Sequence, residues 1–165
     1  MSFQYAWGGP NEPVIHEAIS RWVSNQSFGV DDNVWQDSTS YGVINGGKPV
    51  AGIVFHDWKP SAGTIQYSGA AIDRNWLRGP FLHNMFSYMF DDLGCQMVIT
   101  GNSSENTGLH RILARLGHEK NVIKRGWGRH VDLYLWTLTR EQWVENDIMQ
   151  RSRGWAKENP HVEGT

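Results

Sequence analysis

The stretch Trp76–Glu119 reads WLRGPFLHNMFSYMFDDLGCQMVITGNSSENTGLHRILARLGHE, and it decides the fold. Over residues 80–93 an apolar side chain recurs every three or four positions, which predicts an amphipathic helix closed by Gly94. Met97–Ile99 is a short apolar run, as expected of a buried strand. A second helical stripe ends at Gly117 and consists of Leu109, Ile112, Leu113 and Leu116. The order here is therefore helix, strand, helix.

Upstream of this stretch the pattern predicts strands and one helix. Residues 3–7 read as a first strand, and Asn11 with Pro13 marks a helix start. The apolar stripe of this helix is Val14, Ile15, Ala18, Ile19, Trp22 and Val23. Residues 25–39 are polar and read as a loop or a short helix. Extended runs follow at 40–45, 49–56 and 64–72, and Asn45-Gly46-Gly47 favours a tight hairpin between the first two.

Downstream, residues 131–138 alternate as a strand, and a last helix begins near 140. The helix over 80–93 connects two strands by a crossover, so the runs at 64–72 and 97–99 are expected to be parallel. The remaining strands form an antiparallel meander. We therefore predict a single-domain α/β fold with a mixed, mostly antiparallel sheet flanked by helices. The domain is predicted to span residues 1–150, with a polar C-terminal tail over 151–165.

Composition excludes several classes of protein. The chain has 165 residues, of which 39% are hydrophobic and 19% charged, and this is typical of one globular domain. A lone cysteine, Cys95, excludes an internal disulfide framework, and the seven histidines show no metal-ligand spacing, so no metal is predicted. No apolar run is long enough to span a membrane, and the N-terminus is unlike a secretory signal. A cytoplasmic location is expected.

The charge distribution is uneven although the net charge is only −2. Residues 1–73 carry three basic and seven acidic side chains, whereas 110–130 carry six basic side chains and only Glu119. Within the second segment, Lys124–His130 mixes basic, aromatic and glycine residues. It is either a solvated loop or a contact surface for an anionic or planar ligand, and the second reading keeps nucleic acid open as a partner.

The segment Asp73–Phe81 suggests a phosphate site. Two arginines, Arg74 and Arg78, flank the step from a strand into a helix that opens with Gly79, Pro80 and Phe81. Free N–H groups of a first helical turn, together with arginines, can bind phosphate. An ordinary solvated helix start is the alternative.

Together these motifs resemble the GCN5-related N-acetyltransferase superfamily. The similarity covers about residues 40–138 and is most specific in Leu93-Gly94-Cys95, Met97–Thr100 and the series Arg111–Gly117. The resemblance implies the acyltransferase fold and binding of acetyl-coenzyme A (acetyl-CoA). The pyrophosphate would lie at Arg74, Arg78, Gly79, Pro80 and Phe81, with the pantetheine arm along Ala71 and Ile72. Asn106 and His110, at the start of the second helix, would complete the cofactor site, although Asn106 could equally cap that helix.

The chain departs from the family pattern at several positions. Only one glycine remains in the phosphate-binding turn, Leu113 stands where many members have a tyrosine, and Gly117-His118 replaces Gly-Phe. The carboxylate often found on the third meander strand is replaced by Gln66-Tyr67-Ser68. Catalytic candidates are His56, next to Asp57, as a base, Tyr67 as a proton donor to the thiolate, and Asn102 as a polarising group. The alternatives are a surface position for His56, core packing for Tyr67 and capping of the strand end by Asn102. Trp58, Trp127 and Arg129 are the candidates for binding the acceptor.

The sequence predicts an acetyl-CoA-dependent N-acetyltransferase that acetylates a primary amine by direct transfer. One alternative is a transferase of the same fold that modifies a nucleic-acid base. Another is a catalytically inactive module that binds CoA or a protein. No membrane partner is expected, nucleic acid is open but less favoured, and a homodimer through exposed strand edges is also left open.

Overall fold

A computed structural model of the chain describes residues 3–73, 76–77 and 79–158. The helix Gly79–Ser87 (α2) continues into a π-helical turn over Tyr88–Asp92. The elements in chain order are β1 Gln4–Gly8, α1 Pro13–Phe28, β2 Thr39–Asn45, β3 Lys48–Lys59, β4 Thr64–Ala71, α2 Gly79–Ser87, β5 Met97–Ser103, α3 Thr107–Arg115, β6 Glu119–Gly128, β7 Val131–Thr139, α4 Arg140–Glu145 and α5 Asp147–Glu158.

The strands form one seven-stranded sheet in the order β1-β2-β3-β4-β5-β7-β6. Neighbouring strands are antiparallel except β4 and β5, which are parallel and are connected through α2. The predicted mixed, mostly antiparallel sheet with one crossover is confirmed. The hairpin at Asn45–Lys48 is also confirmed, with Gly46 and Gly47 both at positive φ.

Helices pack on both faces of the sheet. On one face α2 contributes Phe81, Met85 and Phe86 to an aromatic-rich core, in which Phe81 stacks on Tyr41 of β2 at 5.0 Å between ring centroids. On the other face α1 packs Ile19 and Val23 against Val54 of β3. The close approach of α1 requires glycine in the sheet, because a Cβ at Gly42 or Gly52 would lie within 3 Å of these α1 side chains.

The structure corrects three of the sequence-based expectations. Residues 119–128 form a strand that was not predicted, so the segment Lys124–His130 lies in a β-hairpin rather than a loop. Residues 119–127 are exposed on this sheet edge, so the sequence lacks the alternating apolar pattern from which a strand would be predicted. Val14 is 82% exposed and Ala18 is exposed too, so neither belongs to the buried stripe of α1.

The C-terminal end differs from the expectation as well. The helix α5 continues to Glu158, so residues 151–158 are helical rather than a tail. Met149 and Ser152 are buried, and α5 packs against α2. The boundary of the domain itself stays a prediction. No helix in the described ranges is long and apolar enough to cross a membrane.

Candidate functional site

A cleft opens where β4 and β5 separate. The two strands pair only from Thr64–Gln66 to Met97–Ile99. Beyond that point the gap widens into a cavity of about 480 Å³, lined by residues of β4, β5, α2 and α3 and by the C-terminal end of α1. Five of the predicted site residues lie along it, namely Tyr67, Ala71, Asn102, Asn106 and Trp127. The cleft is therefore the place where the sequence-based candidates converge.

The β4 side of the cleft presents unpaired backbone groups. The Ile72 N–H donates to the Val50 carbonyl, and the register places Gly52 opposite Ala70. Since antiparallel strands alternate their hydrogen-bonding direction, the N–H and C=O groups of Gly69 and Ala71 point away from β3. In the described part of the chain β5 no longer pairs with β4 there. A ligand with an extended amide backbone can bind along this edge as an additional strand.

Across the cleft, two asparagines have different roles. Asn102 on β5 is only 7% exposed, and its buried side-chain carbonyl oxygen has no hydrogen-bond partner in the structure. Such an atom is costly unless a ligand or water supplies a donor. Asn106 caps α3, where its side chain accepts from the Leu109 N–H at 3.4 Å. The geometry therefore favours Asn102 over Asn106 as the group that accepts a ligand amide.

A hydrogen-bond chain reaches the cleft from the α1 face of the sheet. His56 of β3 is 8% exposed, and its Nδ1 lies 2.5 Å from Asp57 Oδ2 while its Nε2 lies 2.8 Å from Ser68 Oγ. Because a carboxylate only accepts, Nδ1 carries the proton and Nε2 accepts from the Ser68 hydroxyl. Ser68 lines the cleft. His56 is thus connected to the cleft through its hydrogen bond to Ser68.

The surroundings of His56 favour its neutral imidazole. Burial lowers the pKa of His56, and the hydrogen bond and charge of Asp57 oppose that shift only in part. Trp35 stacks on the imidazole with 5.7 Å between ring centroids, which shields it from solvent. At neutral pH the unprotonated Nε2 is therefore available to accept a proton.

A second histidine lies under the other side of the cleft. The Tyr67 hydroxyl donates to His118 Nε2 at 2.7 Å, while His118 Nδ1 donates to the Leu113 carbonyl at 3.2 Å. Both side chains are buried. Burial raises the pKa of Tyr67 well above its usual range and lowers the pKa of His118 to about 4. The proton of Tyr67 is thus held by a neutral imidazole and points away from the cleft.

The buried His118 makes the protein less stable in acid. Below about pH 6.5 the unfolded chain binds a proton at this site, whereas the folded protein binds it only near pH 4. We expect this group to cost about 3 kcal/mol of unfolding free energy between pH 7 and pH 4. His118→Gln, which can still accept from Tyr67, should flatten that dependence in urea unfolding. An identical loss in both proteins would contradict the assignment.

The predicted phosphate-binding segment is only partly described. Arg74 and Arg78 lie outside the described residues. Gly79 begins α2, and a Cβ there would lie 3.1 Å from the Trp155 ring of α5, so a larger residue would have to displace that ring by a few tenths of an ångström. The side chain of Phe81 is fully buried, so at this position only the backbone is available to a ligand. Trp76 and Leu77, just before Pro80 and the first turn of α2, line the cleft.

Two other predicted cofactor contacts lie beside the cleft rather than in its lining. Ile72 follows β4 and is 63% exposed. The ring of His110 packs on Tyr134 and Trp136 of β7, with centroid distances of 4.7 and 5.6 Å. Burial lowers the pKa of His110, and the charge of Lys120 acts in the same direction, against a backbone hydrogen bond to Ser103.

The α1 side of the cleft has an aromatic rim. Residues 124–127 of β6 bulge out of register with β7 and bring Trp127 within 6.1 Å of Phe28, measured between ring centroids. Phe28 in turn contacts Trp35 at 6.0 Å, next to His56. Arg129 lies with Lys124, Arg125 and His130 around the hairpin end of this bulge. Trp58 does not line the cleft, and it interacts with Cys95.

Several of these features were not predicted from the sequence. Ser68 and Asp57 were not among the predicted site residues, and neither were Phe28 and Trp35. The single local signal was the pair His56-Asp57, which could have suggested an oriented imidazole. In the part of the chain described here, no group of three His, Cys, Asp or Glu side chains is arranged to hold a metal ion.

Several solved structures of acetyltransferases have this topology. An N-acetyltransferase from Staphylococcus aureus Mu50 superposes with a TM-score of 0.62 at 10% identity, over 84% of this chain and 99% of that one. A GCN5-related N-acetyltransferase from Brucella melitensis gives 0.57 at 20% identity, over 81% and 62%. Spermidine N-acetyltransferase from Vibrio cholerae gives 0.58 at 9% identity, over 67% and 69%. The chain therefore has the GCN5-related N-acetyltransferase fold, as its motifs indicated.

Sequence comparison adds no closer relative. No protein-family model matches the chain, and no curated protein is similar to it in sequence. The chain spans about two thirds of the length of the first structural neighbours, from 63% to 66%. At identities of 20% and below the likeness concerns the fold.

Proposed function

From this acetyltransferase fold we propose that the protein is an N-acetyltransferase that uses acetyl-CoA and acetylates a primary amine by direct transfer. The observation that carries the proposal is the cleft between β4 and β5, whose β4 edge offers the unpaired backbone groups of Gly69 and Ala71. The pantetheine arm contains two amides in an extended chain, which matches such an edge. The thioester would supply an activated acetyl group.

The buried oxygen of Asn102 is an independent test of this fit. A pantetheine N–H would give Oδ1 the donor that it lacks in the structure. The first turn of α2, with Gly79, Pro80 and the backbone of Phe81, lies next to cleft-lining residues and would face the pyrophosphate through its free N–H groups. Arg74 and Arg78 remain proposed phosphate ligands on the ground of their sequence positions.

We propose that His56 accepts the proton that the amine loses. His56 Nε2 accepts from Ser68 Oγ, and Ser68 lines the cleft, so the proton would pass through the serine hydroxyl to the neutral imidazole. Asp57 holds the imidazole with Nε2 toward Ser68. Tyr67 is the proposed donor to the departing thiolate, and its hydrogen bond to His118 must break before it donates.

The acceptor would enter over the aromatic rim. Phe28 and Trp127, each more than 40% exposed, form the rim of the cleft on the α1 side, next to the Ser68–His56 chain. Aromatic faces attract ammonium groups as well as flat ligands, which suits an amine that arrives protonated. One structural neighbour is a spermidine N-acetyltransferase, and spermidine is a polyamine. Primary amines with a long aliphatic or aromatic body are therefore the first acceptors to assay.

The bulge that carries Trp127 depends on one carboxylate. Asp132 Oδ1 accepts from the Arg125 N–H at 2.9 Å, and Oδ2 accepts from Lys124 Nζ at 3.3 Å. The Arg125 backbone and the Lys124 charge lower the pKa of Asp132. Asp132→Ala should loosen the bulge and raise the KM for the amine several-fold. Calorimetry should give an unchanged Kd for CoA, and a weaker CoA affinity would contradict this role.

The basic hairpin supports a second candidate function. Lys124, Arg125, Arg129 and His130 surround the end of the β6–β7 hairpin, beside Trp127. This arrangement would suit a nucleic-acid acceptor, with phosphates on the basic groups and a base on the indole. Binding to an oligonucleotide would then weaken steeply with salt, whereas a flat salt response would exclude it.

Calorimetric titration with acetyl-CoA, and separately with CoA, tests the proposed function. Micromolar binding followed by acetylation of an amine from a panel would establish the activity. Binding without turnover of any amine or oligonucleotide would favour a catalytically inactive module instead. No heat at millimolar ligand would overturn the proposal.

A further inference from the structure

The hydrogen-bonded residues Ser68, His56 and Asp57 form a connected set that amine acetylation by direct transfer does not require in full. A base that only accepts a proton from the amine needs an imidazole, yet here the imidazole is held between a carboxylate and a hydroxyl. Ser68 Oγ, His56 Nε2 and Nδ1, and Asp57 Oδ2 follow one another in the order that activates a serine nucleophile.

From this geometry we propose that Ser68 is a nucleophile that accepts an acyl group from a thioester or activated ester in the cleft, which gives the protein an acyl-ester hydrolase activity when no amine is present. The inference shares one premise with the proposed function, namely that an acyl donor enters the cleft. It does not require that the donor carry CoA.

The backbone around Asp57 maintains the orientation of the imidazole. Asp57 has φ of +53°, in the left-handed region that residues other than glycine seldom adopt and that aspartate and asparagine adopt more readily than most. The β3–β4 register is interrupted immediately after His56. This local irregularity lets consecutive residues of one strand, His56 and Asp57, interact through their side chains although an extended strand would direct them to opposite faces. The arrangement thus depends on the bend rather than on regular strand geometry.

The surroundings of Ser68 complete the site. Ser68 lines the cleft just past the last β4–β5 pair, Gln66 with Ile99. The N–H of Gly69, the residue after Ser68, points toward the cleft because the N–H groups of alternate residues point toward β3. The Tyr67 N–H is not available, since the last β4–β5 pair, Gln66 with Ile99, directs it to the Ile99 carbonyl. A backbone donor placed like that of Gly69 can stabilise the oxyanion of an acyl-transfer intermediate. Nucleophile, base, orienting carboxylate and one oxyanion donor are then all within one short region of the sheet.

The reaction has two steps, acylation of Ser68 and hydrolysis of the serine ester. In the first, Ser68 Oγ bonds to the acyl carbon while its proton passes to His56 Nε2, and the bond to the leaving thiolate or alkoxide breaks as that group takes the proton from Nε2. In the second, water adds to the serine ester and gives a proton to Nε2. The carboxylic acid departs, and Ser68 Oγ recovers the proton.

The test uses p-nitrophenyl acetate, a small activated ester that needs no CoA site. We expect a burst of about one equivalent of p-nitrophenolate, followed by slow turnover, and mass spectrometry should locate one acetyl group on the peptide that contains Ser68. Ser68→Ala should lose both the burst and the label. Ser68→Cys, which keeps a nucleophile at the same position, should retain an acetylated intermediate and shows that the fold is intact.

Control variants separate nucleophilic acylation from general surface reactivity. Ser27→Ala removes a hydroxyl from the α1 wall of the same cleft and should leave the Ser68 label in place. His56→Gln should slow labelling by about 100-fold or more, since it removes the base. A label found only on lysines, or equal labelling of Ser68→Ala and the unmodified protein, would overturn the proposal.

The two proposals can fail separately. Labelling of Ser68 without any binding of CoA would sustain the nucleophile and refute the acetyl-CoA function. The opposite result is CoA binding with amine acetylation, but with no acetyl group on Ser68 in a parallel sample that contains acetyl-CoA and no amine. It would refute the proposal that Ser68 is a nucleophile, and Ser68 would then only relay a proton.

Discussion

Ala71→Trp is expected to abolish measurable binding of CoA. Ala71 is exposed, lines the cleft and presents its N–H and C=O to the unpaired edge of β4. An indole at this position would occupy part of a cavity of only about 480 Å³, along the line that an extended pantetheine arm would follow. We expect the Kd for CoA to rise at least 100-fold, which is about 2.8 kcal/mol.

Isothermal calorimetry checks this result, with Ala62→Trp as the matched control. Ala62 is also exposed, but it lies in the β3–β4 turn at the end where β4 and β5 are still paired. The control should bind CoA like the unmodified protein and unfold at a similar temperature. Unchanged CoA affinity in Ala71→Trp would mean that the cofactor does not occupy the cleft.

His56→Gln is expected to lower the rate constant for acetyl transfer by about 10²–10⁴-fold. Glutamine cannot accept the amine proton, although it can still hydrogen-bond to Ser68. Because His56 does not itself line the cleft, the Kd for CoA should not change. Steady-state kinetics with a saturating amine, together with calorimetry, separate the two quantities. A variant that retained full kcat would exclude His56 as the base.

The pH profile adds a second readout for this histidine. Burial lowers the pKa of His56, so kcat should fall only on the acidic side of pH 6.5 and remain level above it. Asp57 raises that pKa, through its hydrogen bond first and its charge second. Asp57→Asn should therefore shift the acidic limb to lower pH. Its loss in kcat should be smaller than that of His56→Gln, because the Asp57 side chain is 57% exposed.

Much of the fold could be predicted from local pattern. The apolar stripe of α2 recurs with helical period and packs as the core of one sheet face. The run Met97–Ile99 forms the start of β5, with Val98 fully buried. Between two such strands a helical crossover forces parallel pairing, which the register of β4 and β5 confirms. These elements were recognisable because each carries its own burial pattern in consecutive residues.

The edge strand β6 could not be predicted in this way. Residues 119–127 are exposed, so burial imposes no alternation on the sequence. The strand exists because its backbone pairs with β7, and its bulge is held by Asp132. The same bulge brings Trp127 to the cleft. The sequence suggested Trp127 as an acceptor contact, but the bulge that positions it depends on pairing between β6 and β7.

The sequence by itself determined the class of fold, the candidate His56 and the resemblance that points to acyl-CoA, since periodicity and short motifs are properties of neighbouring residues. Only the tertiary structure decided which side chains act together. Ser68 and His56 belong to different strands and meet because β3 and β4 pair in one particular register. The side-chain oxygen of Asn102 is left without a partner where β5 separates from β4. Contacts between distant segments, and the absence of contacts at a strand edge, follow from packing and not from local composition.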